Sequence, residues 1–488
     1  MTDEPVVVVG SGPCGAIAAA QLVARGLDVV MLDAGLRAPR GLLVRAAGST
    51  VVRRMGWTEY STDRHHPSSQ PHVDWISSLS HGGLSNYWTG AVPRFAPDDF
   101  SDGARLDERY CWPIAYEELV PFYELAERYL LVTAGDPIAG VPANIKRFDY
   151  RLPADWQEIV AAAQYHGHGA GVLPLAKGHP WMAVRRGTEF DSYHCIVAPL
   201  RRSPGFRFVS GAHVTRLNWS GRAGRVDSVE YVDRGTRQVE RVPAKAVVVA
   251  AGAIDSTALL LRSTSADFPT GLGNTEGLVG RYLHDHPREW WTASSGRRLP
   301  ALAHPVYVAR VRHDEAKPLM STSLTLGLAA KAERLKTHFR MSTSQFGVQV
   351  FGTMVPTPDV GVALAGDGGA DLLGRPLISL CYDHDAVANL VEARDRLREI
   401  FAEAGLRLTI RAPLHDGRPG SSVHFGGTVR MHEDRELGVL DRWNRVYDAP
   451  NVVVCDSSCF TTGPEKNPTL TAMAIAARAA NHLAGEVN

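Results

Sequence analysis

An excess of charge of either sign is missing from this chain. Its 52 lysines and arginines are matched by 52 aspartates and glutamates, so no global field draws it to nucleic acid or to an anionic membrane. Long apolar runs are missing too: no stretch reaches the roughly 18 uninterrupted apolar residues of a membrane span. Met1 to Pro5 offers neither the basic start nor the apolar stretch of a secretory signal. Cysteine is sparse, with six residues at 14, 111, 195, 381, 455 and 459. None forms a CxxC pair, which excludes a zinc set and points to reduced, mostly buried thiols. Internal repeats and low-complexity linkers are also absent. The expectation is a soluble cytoplasmic protein, and 488 residues are enough for a large core in two interleaved domains.

What the chain does contain begins at once. Pro5 to Val9 is a continuous apolar run, as in a strand buried on both faces of a parallel sheet. Gly10-x-Gly12-x-x-Gly15 follows, then a segment of good helix formers from Ala16 to Arg25 that Gly26 stops. Leu27 to Asp33 resumes as a second strand ending in an acid. Glycines in this setting let backbone amides approach a pyrophosphate at a helix N-terminus, and Asp33 stands where a ribose hydroxyl needs an acceptor. A free 2′-hydroxyl is implied, which disfavours NADP; this unit alone leaves NAD and FAD open.

Residues further along favour FAD. Ala212–Leu217 and Arg225–Val232 alternate like paired antiparallel strands, with Ser220 to Gly224 as the turn. Ala244–Leu261 reads as a buried strand, a turn at Gly252 and a helix for which Asp255 or Ser256 is available as cap. A strand pair followed by a return to the first sheet fits a flavoprotein; a simple NAD dehydrogenase would continue in βαβ units after residue 35.

Four segments, in order along nearly the whole chain, resemble the glucose–methanol–choline (GMC) oxidoreductase family. They are the N-terminal cradle, Gly277 to Pro287, Val423 to Met431, and Asn451 to Asp456 running on to Asn467-Pro-Thr-Leu-Thr. Ser80 to Phe95 is similar to the pyranose oxidase and glycoside oxidase branch. The resemblance implies an α/β FAD-binding domain of Rossmann-like, GMC type beside an α+β substrate domain built on an antiparallel sheet. It implies that Gly10, Gly12, Gly15 and Asp33 hold the ADP half of FAD. Gly82, Gly83, Ser85 and Asn86 would lie against the flavin and its linker, and Asp456 would meet the ribityl–pyrophosphate region. Val214, Gly252, Pro468 and Thr469 complete the expected cofactor contacts. His424 resembles the family's catalytic histidine, and Asn467 takes the second catalytic place. At the position where fungal pyranose oxidases carry a histidine bonded to FAD, counted from Ser85, this chain has Tyr87, so non-covalent FAD is expected.

An alcohol proton is far too weakly acidic for a free imidazole of pKa about 6.5 to remove fully. The base must act while hydride leaves the carbinol carbon, so His424 would share the hydroxyl proton and Asn467 would hold the same oxygen. The ordinary alternatives are a satisfied core histidine at 424 and a turn-opening Asn-Pro at 467. His284 and His286 lack a further ligand cluster, so no metal is expected, and Trp88 reads as packing.

The FAD-binding domain is expected to be discontinuous, 1–60, 205–290 and 421–488, with a flavin-covering and helical insertion at 61–204 and a substrate-binding domain at 291–420. Ile114–Val132 is predicted helical with a kink at Pro121, and Asp385–Gly405 is predicted as a further helix. Glu59–Asp74 reads as a lid or interface loop. The expected substrate is a sugar, glycoside or sugar-containing natural product. An aminoglycoside is the alternative, for which Asp383 and Asp385 are candidate pocket acids. The electron acceptor would be oxygen or another carrier. An NAD(P)H-dependent monooxygenase or reductase is the competing class, but no second glycine cradle is present. A non-catalytic flavin binder would have no use for His424 with Asn467.

Overall fold

The computed structural model describes residues 4–36, 75, 77–177, 190–311, 317–328, 342–365, 376–412, 419–420 and 422–487. The expected lid at 59–74 lies outside them, as do residues 37–60 of the expected cofactor domain.

Valine dictates the first layer. Val6–Val9, Ala246–Val249 and the end of Ala449–Val454 are buried on every residue, which a strand tolerates only with both sheet faces covered. They lie side by side in parallel register, Val7 opposite Val247 and Val247 opposite Val452. Val29–Asp33 and then Phe206–Ser210 extend the sheet on one side, and the antiparallel Arg445–Val446 closes the other. The helices Pro13–Ala24 and Thr469–Val487 pack together and share this core. A meander of Ala212–Ser220, Arg225–Asp233 and Val239–Pro243 sits between the third and fourth strands that the chain gives to this sheet, with its first turn where the alternation placed it.

Two glycines make the first strand–helix turn possible. Gly10 has φ of +98°, and a Cβ there would lie 2.6 Å from the Ala250 carbonyl oxygen. A Cβ on Gly15 would lie 2.1 Å from the carbonyl oxygen of Gly10, so only glycine lets the helix seat itself against the strand end.

The second sheet is antiparallel, in the order Leu406–Ala412, Arg288–Pro300, Ser342–Gly352, Thr322–Leu328, Val306–Val311 and Gly169–Val172. Its last strand and the helix Ala154–Tyr165 both come from the 61–204 stretch, so part of that insertion builds the substrate-side layer. Trp156 of this helix packs edge-on to Phe346, and the helix His384–Glu403 joins the same core. Alternation along the strands divides the sheet: Trp291, Val348 and Val350 face this core, while Arg288, Trp290, Gln349 and Phe351 face the other way.

The helix Tyr116–Leu130 runs through Pro121 as one element, without restarting there. Tyr123 shares a 2.8 Å hydrogen bond with Thr471, tying this helix to Thr469–Val487. Its buried Glu127 takes a two-pronged bond from Arg94, 2.7 Å on each side, and accepts from Asn144 and the Ile145 N–H. Breaking one partner of so buried a pair costs about 3–5 kcal/mol. Urea unfolding of Glu127→Gln is expected to show that loss, with most of it recovered in the Arg94→Met, Glu127→Leu double variant; an unchanged midpoint in the single variant would contradict the assignment.

Candidate active site

A cavity of about 490 Å³ runs from the end of the second strand, past the first helix N-terminus, to the exposed face of the antiparallel sheet. At one end Asp33 accepts the Ser11 N–H at 2.9 Å and the Gly35 N–H at 2.8 Å. Burial pushes its carboxyl pKa up, opposed by His81 and these donors. Each oxygen keeps a second lone pair, so a ribose hydroxyl can still be accepted. The Pro13–Ala24 helix begins at Gly12 with no side-chain cap, and a Cβ on Gly12 would meet nothing within 4 Å. Orphaned amide donors at an open, uncapped helix start fit a pyrophosphate.

Asp456 is the hub of the cradle. It is buried, and one oxygen accepts the Gly252 N–H at 2.8 Å and the Ser256 hydroxyl at 2.5 Å, while the other accepts the Ser458 N–H. This replaces the expected cap of the Ala253–Arg262 helix. Gly252 itself is the N-cap without a side-chain bond, and Ser256 lies too far into the helix, so its hydroxyl reaches back to the Ala251 N–H and Asp456. Gly83, Ser85, Val214, Gly252, Pro468 and Thr469 all line the cavity.

Other expected contacts build the walls instead. Gly15, Gly82 and Asn86 are not among the lining residues. The Gly82 N–H donates to Ser11 Oγ, and the Asn86 amide donates to the carbonyls of His81 and Gly83, which shapes the Gly83–Asn86 turn. Tyr87 lines the cavity and is 39% exposed, so its hydroxyl is not locked in the core. Trp88 lines it too while donating to the Phe190 carbonyl at 3.1 Å.

At the far end His424 and Asn467 meet. The Asn467 amide nitrogen lies 3.1 Å from His424 Nε2 across a separation of 43 residues. The histidine loop is held from behind: Asp285 accepts the His424 N–H at 2.9 Å and the Ser422 hydroxyl, and Ser422 Oγ accepts the His286 N–H. The His286 ring stands edge-on to His424 at 4.9 Å, with Phe351 at 5.0 Å. Burial, helped by His286 and Arg288, holds the His424 pKa well below the usual histidine range. The ring is therefore neutral, with Nε2 a lone-pair acceptor toward the amide.

His284 and His286 are neutral as well, their pKa values lowered to about 3 and about 4 chiefly by burial. The His284 ring fills a niche whose walls are glycine. A Cβ on Gly426, Gly427 or Gly463 would come within 2.7 Å of it. No three His, Cys, Asp or Glu side chains converge as metal ligands among the described residues.

Asn467 is preceded by Glu465 and Lys466, both wholly buried. Lys466 Nζ lies 2.9 Å from Asp99 and 2.9 Å from Glu465, and Glu465 accepts the Ser321 hydroxyl at 2.6 Å and, through its carbonyl, that of Ser323. Asp285, Asp99, Glu465 and Lys466 were not anticipated. A signal existed for two of them, because Glu465 and Lys466 are the sole charged residues between Ser457 and Ala477. Asp383 and Asp385 do not reach the cavity. Asp383 caps the His384–Glu403 helix by accepting the Ala386 N–H, and Asp385 in its first turn faces Lys317, the ordinary use of acids at a helix start.

A nucleotide cradle opening onto a half-buried imidazole–amide pair defines an oxidoreductase of the flavoprotein type. Family profiles described as GMC oxidoreductase match residues 158–288 and 356–476. The chain is 30% identical to a paromamine 6′-oxidase of Streptomyces fradiae, over 99% of this chain and 91% of that protein. It is also 30% identical to a 6‴-hydroxyparomomycin C oxidase of Streptomyces lividus, over 99% and 92%. Pyridoxine 4-oxidase from Mesorbium loti has the same fold, with a TM-score of 0.71 at 20% identity over 98% of this chain and 99% of that one. The chain belongs to the GMC oxidoreductase family, FAD-binding alcohol oxidases and dehydrogenases that act on CH–OH donors. No helix among the described residues is long and apolar enough to cross a membrane.

A depressed pKa keeps His424 neutral as pH falls through 6.5. Flavin reduction by substrate is therefore expected to hold level at pH 6.5 and to decline only at lower pH. An acid limb centred at or above 6.5 would contradict the desolvated site.

Proposed function

We propose that this protein oxidises a hydroxyl of a sugar, glycoside or sugar-containing natural product to a carbonyl, with His424 as base. The observation that carries the reading is the 3.1 Å contact between the Asn467 amide and His424 Nε2 at the end of a cavity that starts at an uncapped helix N-terminus. FAD, when bound, supplies the hydride acceptor. The glycine turn at 10–15 and Asp33 would hold its ADP half, and the residues around Gly83, Val214, Gly252, Asp456, Pro468 and Thr469 the rest.

The division of labour follows from the two side chains. His424 Nε2 accepts the hydroxyl proton as the C–H bond breaks, which spares the site a free alkoxide. Asn467 donates an N–H to the same oxygen and cannot compete for the proton, so it orients the carbinol carbon. The neutral state of the imidazole leaves Nε2 ready to accept the proton. Sugar-like substrates are supported by the names of the two relatives at 30% identity; both act on aminoglycosides, and this makes an amino sugar the second reading. The final electron acceptor is dioxygen or another carrier, which reoxidation in air distinguishes.

Replacing His424 by alanine is expected to leave FAD bound and to slow flavin reduction by substrate about 10²–10⁴-fold. Reduction at the wild-type rate would remove His424 from the mechanism. With Tyr87 where a histidine link would stand, acid precipitation is expected to release the flavin into the supernatant, whereas flavin that stays in the pellet would show a covalent bond.

A further inference from the structure

The residue before Asn467 is a lysine with no access to solvent. Lys466 and its neighbour Glu465 are both wholly buried, and neither lines the cavity. Lys466 Nζ reaches Asp99 Oδ2 and Glu465 Oε1, each at 2.9 Å. Its two partners lead to different parts of the molecule. Asp99 belongs to the short helix Pro97–Ser101 and also accepts the Ala96 N–H at 2.6 Å. Glu465 leans the other way: its Oε2 accepts the Ser321 hydroxyl at 2.6 Å, and its carbonyl accepts that of Ser323 at 2.9 Å. Ser323 lies on Thr322–Leu328 of the antiparallel sheet, and Ser321 just precedes that strand. Arg310, on the strand paired with it, reaches back to the short helix, 3.0 Å from Asp98 and 3.6 Å from Asp102. It does so from a left-handed φ of +48°, at the break in register between Val308 and Val311.

We propose that Lys466 is a positioning residue for the reaction, a buried clamp that fixes where the Asn467 amide stands and thereby sets the rate of hydride removal. The inference rests on the role given to Asn467 above and deepens it. Two restraints meet at that residue. Downstream, Pro468 biases Asn467 to an extended backbone and opens the Thr469–Val487 helix, the Ala472 N–H bonding the Pro468 carbonyl at 3.0 Å. The buried side of that helix belongs to the core of the parallel layer. Upstream, the anchors are the arms of Glu465 and Lys466, one on the antiparallel sheet and the other on Asp99. Strung between the two layers, Asn467 has little left to vary but its own side chain, which meets His424 Nε2 at 3.1 Å. Stability is a poor reason for the cluster, because desolvation of three buried charges offsets most of their attraction. Geometry is a better one. A lost anchor lets the amide drift, and a misplacement of about 1 Å can cost about a hundredfold in rate.

The test uses the FAD-loaded enzyme and two changes, Lys466→Met and the milder Ser321→Ala, Ser323→Ala pair, each also made on Asn467→Ala. One readout is hydrogen exchange of the backbone over 460–468. The other is the limiting rate of anaerobic flavin reduction by a panel of methyl glycosides and amino sugars. Lys466→Met is expected to speed exchange over 460–468 while the Thr469–Val487 helix stays protected. It should slow reduction about ten- to a hundredfold with flavin content unchanged. The serine pair should do the same more weakly, and it decides the matter if Lys466→Met does not fold. On Asn467→Ala, neither change should slow reduction further by more than about twofold, because the amide they position is gone. A merely structural lysine would slow both backgrounds alike. Such additive slowing, unchanged exchange, or an unchanged rate in the variants overturns the clamp. If no probe reduces the wild-type flavin, or Asn467→Ala is reduced at the wild-type rate, the sugar-oxidising reading fails instead. The exchange arm then decides by itself whether Lys466 holds the loop.

Discussion

A single contact between a carboxamide and an imidazole closes this site, and the surrounding structure exists to hold its two ends still. His424 and Asn467 come from loops with little regular structure of their own, and each is pinned by buried charge. Asp285 grips the first loop through the His424 N–H and Ser422. Lys466, bonded to Asp99 and Glu465, grips the second and ties it through Ser321 and Ser323 to the antiparallel sheet. Such buried ions contribute little net stability, because desolvation offsets their attraction. What they supply is a fixed geometry on which a hydride-transfer site depends.

The two sheets divide the remaining work. The parallel sheet ends in glycine turns and uncapped helix starts, which give backbone donors to a phosphate without a side chain in the way. The antiparallel sheet turns one face to its own core and the other, with Arg288, Trp290 and Gln349, to the cavity. Asp456 joins the halves of the parallel layer by bonding the strand end at 456 to the Gly252 turn.

The parallel layer was legible because its physics is local. A run of valines, a glycine turn and an acid at the next strand end leave few alternatives, and the observed strands match that reading within two residues. The antiparallel sheet was legible as a type, but the membership of Gly169–Val172 was not, since pairing across more than a hundred residues leaves no periodic trace. Asp383 and Asp385 misled for a related reason: an acid reads the same in a pocket or at a helix cap until the helix start is known. Asp285 sat in plain view between two histidines, yet its role is to accept a backbone N–H 139 residues away, which no spacing encodes. The niche around His284 shows the converse. The glycines at 426 and 427 were visible as part of a resemblance, and their physical reason is the imidazole that would collide with any Cβ there.

The claim on which all of this depends is that an alcohol reduces the flavin directly at the His424–Asn467 pair. The most direct measurement is anaerobic mixing of the yellow enzyme with a sugar alcohol or glycoside, with a second arm using substrate deuterated at the carbinol carbon. The account predicts bleaching by the alcohol alone, slowed by deuterium because that C–H bond breaks as the flavin is reduced. Bleaching that requires NADPH and ignores the alcohol would contradict it.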